Sequence, residues 1–105
     1  MTCWAEPYEL YENVQTEELY KEVQAALADF TKKTGKPAKC GEMRLNYPQG
    51  ADTFDVWIDG YGKYAFTICN YHRAVTVENF KDFLICRTAV KTIYKRLRDK
   101  YEVKA

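Results

Sequence analysis

Apolar and polar residues alternate along two neighbouring stretches, Phe54 to Asp59 and Tyr64 to Cys69, with Trp57 breaking the first alternation. A period of two marks strands buried on one side. Gly60, Tyr61 and Gly62 lie between them. A three-residue loop, with Gly62 in the left-handed position, sets Ile58 beside Tyr64, Val56 beside Phe66 and Phe54 beside Ile68. This register gathers a single apolar face. Other loop lengths split the apolar set or bring Asp55 and Asp59 into it.

A helical period follows. Thr76 reads as an N-cap, Glu78 falls in the first turn, and Val75 can staple onto Phe80. Phe83, Cys86, Val90, Ile93, Leu97 and Tyr101 then form one apolar stripe. Arg87, Lys91, Lys95 and Arg98 form a basic stripe roughly a quarter turn away, with Tyr94 on the border. A second amphipathic helix opens at Thr16, read as its cap, with Glu17 and Glu18 in the first turn. Leu19, Val23, Ala26, Leu27 and Phe30 make its apolar stripe, and Glu18, Glu22 and Asp29 lie on the other side. Lys32 and Lys33 suit its C-terminal end, Gly35 its left-handed cap, and Pro37 prevents continuation.

Lys39 to Tyr47 alternates again, which predicts a third strand with Met43, Leu45 and Tyr47 facing the core. Pro48 to Asp52 reads as a turn and Asn70 to Ala74 as a connection. Residues 1–15 read as a short N-terminal helix opening at Pro7 or as an extended arm, with Trp4 docked on the rest of the molecule. The expected fold is a single α+β domain over residues 1–105. It has a three-stranded antiparallel sheet with both main helices packed on one face, in the order α-β-β-β-α.

Composition changes this picture little. Of 105 residues, 47% are hydrophobic and 30% charged, which suits a globular chain. The net charge of +1 indicates no polyanionic partner by itself. Its distribution is uneven: residues 1–30 hold seven acids and one lysine, and residues 77–105 hold eight basic residues and four acids. No apolar run is long enough to span a bilayer and no signal-peptide pattern opens the chain, so the expected location is cytoplasmic, with no membrane partner. In that setting Cys3, Cys40, Cys69 and Cys86 are expected as reduced thiols.

Candidate chemistry is sparse. Cys69 and His72 are close in sequence, but positions three apart on a strand point to opposite faces. Cys40, Cys69, His72 and Cys86 could supply three sulfurs and a nitrogen to zinc, without the tight Cys-x₂-Cys knuckles that mark such sites. Asp55 and Asp59 flank Trp57 and read as solvated strand carboxylates. The Gly60-to-Gly62 turn lacks a phosphate loop's lysine and spacing. No catalytic residue, metal or cofactor is therefore expected.

Surfaces remain. Nine tyrosines and two tryptophans exceed what one small core hides. Trp57, Tyr61 and Tyr71 are expected on the sheet face opposite the core or at the hairpin tip, as contacts for a protein partner. Arg87, Lys91, Lys95 and Arg98 form a second candidate surface, roughly 16 Å long by helix rise. The primary expectation is a non-enzymatic protein-binding module, and the alternative is a nucleic-acid-binding module using the basic helix. A homodimer through the open sheet face would also account for the aromatics.

In topology, helix–three strands–helix resembles the double-stranded-RNA-binding domain. That family opens its second helix with a lysine-rich motif. Here Thr76 to Asp82 carries two acids and one lysine, so the family's function is not transferred. In size and lack of motifs the chain looks like accessory proteins of phages and mobile elements. That resemblance implies an inhibitor of a host-defence complex such as CRISPR–Cas.

Overall fold

A computed structural model describes residues 8–9, 14–47, 49–60, 65–72, 74–81 and 83–101. The elements are β1 (Tyr8–Glu9), α1 (Thr16–Thr34), β2 (Ala38–Cys40), β3 (Asp52–Ile58), β4 (Phe66–Asn70), β5 (Ala74–Glu78) and α2 (Leu84–Tyr101). The strands form one antiparallel sheet in the order β1-β5-β4-β3-β2.

The central pair follows its period. Phe54 lies opposite Ile68, and Val56 opposite Phe66, in the expected register; Tyr64 and Gly62 lie outside the described residues. Phe54, Val56, Ile58, Phe66, Ile68, Val75 and Val77 are all buried and join one core cluster with side chains from both helices. From α1 come Leu19, Val23, Ala26, Leu27 and Phe30; from α2 come Cys86, Ala89, Val90, Ile93 and Leu97. Both helices thus seal the same sheet face. Gly35 ends α1 in the left-handed conformation (φ 75°), its N–H donating to the Thr31 carbonyl at 2.8 Å.

Several expectations need correction. Four strands, not three, lie between the helices, because Ala74–Glu78 is a strand. It carries its own period of two, with Val75 and Val77 inward, and β-branched residues favour a pleated surface over a helix's first turn. Thr76 is therefore no N-cap, and α2 begins only at Leu84. The added strand sits where the double-stranded-RNA-binding domain would open its second helix, so that topological likeness does not hold. Phe83 precedes α2 and is exposed rather than part of the buried stripe.

The second correction concerns residues 39–47. Only Ala38–Cys40 forms β2, and Arg44 adds an isolated bridge to Thr53. Between Gly41 and Arg44 the chain carries one extra residue relative to β3, and beyond Arg44 it leaves the sheet through Asn46 at φ 54°, so Leu45 and Tyr47 are 67% and 68% exposed instead of facing the core. At the chain's start, Tyr8 pairs with Val75 and Glu9 with Ala74, so these two residues are extended rather than helical. The other residues of the predicted arm up to Glu12, together with Asn13, lie outside the described ones.

Thr16 does not cap α1. Gln15 holds that position without a side-chain bond, and the Thr16 hydroxyl donates to the Asp52 carboxylate instead. Buried Asn70 donates to the Val14 carbonyl (3.0 Å) and to Thr16 Oγ1 (3.2 Å), and accepts from the His72 N–H (2.8 Å). These bonds tie the entry of α1 to the sheet and satisfy an amide that burial would otherwise penalise. The Tyr20 ring meets Phe54 edge-on at 4.9 Å, and its hydroxyl donates to the Gly41 carbonyl at 2.7 Å.

Phe66→Ala, in the sealed face, should cost about 3–5 kcal/mol of unfolding free energy. Trp57→Ala, on the opposite face, should cost less than about 1 kcal/mol. Urea unfolding followed by circular dichroism compares the two.

Candidate functional site

Trp57 points away from the core from β3, at 37% exposure. Its indole rests on Gly41: a Cβ there would lie 2.9 Å from Trp57 Nε1 and would force the indole to shift. With Pro37, Ile58 and Gly60 it walls a cavity of about 350 Å³ beside β2. Tyr71 follows β4 at 40% exposure, and its hydroxyl donates to Glu78 Oε2 at 2.8 Å. The structure does not bring these two aromatics together. Asp52 lies opposite Asn70, next to Tyr71, and Trp57 is five residues further along β3, roughly 17 Å at strand rise. Tyr61 lies outside the described residues.

Between the two aromatics stands a polar cluster that the sequence did not reveal. Arg44 donates through Nη2 to Asp55 Oδ1 at 3.1 Å and through Nη1 to Oδ2 at 3.2 Å, a bidentate pair. Thr67 donates to Asp55 Oδ1 at 2.7 Å. Burial alone would raise the Asp55 carboxyl, but the bonds from Arg44 and Thr67 and the guanidinium charge outweigh it and hold it below the ordinary range. Asp55 is thus engaged rather than solvated, while Asp59 is exposed at the turn. Residues 44, 55 and 67 are too far apart in sequence for a local motif to announce them.

A second cluster gathers Thr16, Asp52, Asn70 and His72. His72 Nε2 lies 3.4 Å from Asp52 Oδ2, and the Asn46 N–H donates to Asp52 Oδ1 at 2.7 Å. For Asp52 too, burial pushes the carboxyl up, and the Thr16 hydroxyl, the Asn46 N–H and His72 together bring it below the ordinary value. His72 therefore faces Asp52. Cys69, buried on the outer sheet face opposite Thr53, is not its partner.

The four prospective zinc ligands do not converge. Cys40 and Cys86 belong to the core beneath the sheet, whereas Cys69 lies on the other face. Cys40, Cys69 and Cys86 are all buried, and burial pushes the Cys40 thiol up to about 12, which leaves it protonated and inert. No group of three or more metal-ligating side chains stands together among the described residues.

On α2, Arg87, Lys91, Lys95 and Arg98 are all exposed, along one ridge. Arg96 and Lys100, absent from the predicted stripe, turn toward α1. Arg96 Nε meets Glu22 Oε1 at 2.8 Å, Lys100 Nζ meets Glu22 Oε2 at 2.6 Å, and Arg96 Nη1 approaches Asp29 at 3.8 Å. The bond from Lys100 does most to lower the Glu22 carboxyl, against the opposing effect of burial and with help from Arg96. Part of the charge asymmetry is thereby consumed within the fold. Leu84 heads the outward ridge at 79% exposure, with Phe83 exposed beside it. At 100° per residue Leu84 lies within about 60° of each of the four cations.

No protein-family model, curated protein or solved structure matches this chain. No described helix is long and apolar enough to cross a membrane.

Asp52, Asp55 and Glu22 are held below their ordinary values, so each releases its proton more readily in the folded chain than in the unfolded one. Their contribution to stability is full above the unfolded values and is lost as pH falls through the lowered ones. The urea midpoint should fall on acidification from about pH 5 to about pH 3, and Asp55→Asn should flatten that slope. A wild-type midpoint that stays level or rises over this interval contradicts the assignment.

Proposed function

We propose that this chain is a non-enzymatic binding module whose α2 ridge docks on an acidic surface of another protein. The supporting observation is Leu84. A side chain of this size, 79% exposed at the head of four exposed cations, gives the ridge an apolar anchor that a phosphate backbone cannot use. A protein surface can supply carboxylates for Arg87, Lys91, Lys95 and Arg98 and an apolar recess for Leu84 and Phe83. Trp57 and Tyr71, set far apart, serve this reading only as separate contacts. The narrower reading, an inhibitor of a host-defence complex such as CRISPR–Cas, rests on resemblance in size and style alone. It requires no chemistry beyond occupying a surface.

The nucleic-acid alternative makes a different measurement. Neutralising four phosphates would give log K a slope near −3.6 against log salt, about −0.9 per phosphate. Affinity capture from cells that carry the chain, repeated with Leu84→Ser and with Lys91→Glu/Lys95→Glu, should return a protein with wild type. Each variant should weaken that complex by about tenfold or more in a purified binding assay. Tight duplex binding with the slope just given, unaffected by Leu84→Ser, would replace this proposal with the alternative.

A further inference from the structure

The sheet ends on one side at β2, and the hydrogen bonds there set the direction of every peptide group. The Asp59 N–H donates to the Pro37 carbonyl at 2.9 Å, and the Gly41 N–H donates to the Asp55 carbonyl at 2.7 Å. Lys39 stands opposite Trp57 midway between them. Bonded and non-bonded pairs alternate in an antiparallel ladder, so Pro37, Lys39 and Gly41 are the residues joined to β3. Ala38 and Cys40 therefore direct their N–H and C=O groups away from β3, along the outer edge of the sheet. No hydrogen bond among the described residues engages those four groups.

We infer that this edge accepts an extended acidic segment of another protein as an added strand. The four outward groups specify a backbone partner, as in strand addition generally. The cavity of about 350 Å³ walled by Pro37, Trp57 and Ile58 opens beside the same edge and takes one apolar side chain of that segment. Lys36 and Lys39 are exposed along it, with Asp59 exposed at the Gly60 end of the cavity, so complementarity of charge favours carboxylates where the incoming strand passes the two lysines.

A second copy of this chain is the competing occupant, and the register disfavours it. Pairing β2 with its own two-fold mate so that the outward groups meet sets Ala38 opposite Cys40 and Lys39 opposite Lys39. That central pair is the non-bonded kind, where side chains stand closest, and like charges there repel. Lys39 thus guards the edge against self-association while leaving it open to an acidic strand. This surface is distinct from the α2 ridge and does not depend on it.

Amide exchange on ¹⁵N-labelled full-length chain tests the inference with a defined probe: acetylated, amidated Glu-Val-Glu-Val-Glu, compared with Lys-Val-Lys-Val-Lys. The acidic peptide should slow exchange at Ala38 and Cys40 at least tenfold at saturation, and the basic peptide should not. Ala38→Pro removes one outward N–H and no bond to β3, and should weaken the acidic peptide at least tenfold. Lys39→Glu, at an exposed site, should reverse the preference between the peptides. Unchanged exchange at both amides with millimolar acidic peptide overturns the inference. Equal protection by both peptides, or protection without peptide in a chain that sediments as a dimer, overturns it as well.

Discussion

One constraint organises the molecule: the sheet has a single apolar face, and both helices must bury their apolar stripes on it. Phe54, Val56, Phe66, Ile68, Val75 and Val77 form that face, and Leu19, Phe30, Val90, Ile93 and Leu97 close over it. With apolar burial worth roughly 25 cal/mol per Å², this layer is the dominant favourable term in folding. Every other feature is what remains once the layer is sealed. Trp57 on the outer face of β3, the edge of β2 and the solvent face of α2 are left for contact.

Polar networks then fix what packing leaves loose. Asn70 reaches from the buried end of β4 to Val14 and Thr16, so the start of α1 is set relative to the sheet by directed bonds. Arg44 and Asp55 lock the irregular stretch after β2 against β3. Glu22 holds Arg96 and Lys100 between the helices, while Arg87, Lys91, Lys95 and Arg98 are exposed along the other side of α2.

What could be read beforehand was local. The hairpin register, the apolar stripe of α1, its glycine cap and most of the α2 stripe follow from periods of two and 3.6 and from turn chemistry. β5 is legible too, in the alternation of Val75, Thr76 and Val77, but Thr76 two residues before Glu78 imitates a helix cap. The exposure of Leu45 and Tyr47 was not legible, because an alternating pattern says nothing of the extra residue between Gly41 and Arg44 or of a backbone that leaves the sheet beyond Arg44. Nor were the Asp52 and Asp55 clusters, whose partners come together only through tertiary folding. Of the candidate surfaces, the basic ridge could be placed from helical spacing alone. The distance between Trp57 and Tyr71 depends on strand pairing, and the free edge of β2 depends on where that strand stops.

The central claim is that the sheet and both helices share one sealed core, and native-state amide exchange under low urea tests it most directly. Amides of Val56, Ile68, Val77, Val23 and Ile93 should converge on one opening free energy, that of global unfolding. Exchange of Ile93 and its α2 neighbours at a much lower free energy than Ile68 would show α2 undocked from the sheet and contradict the account.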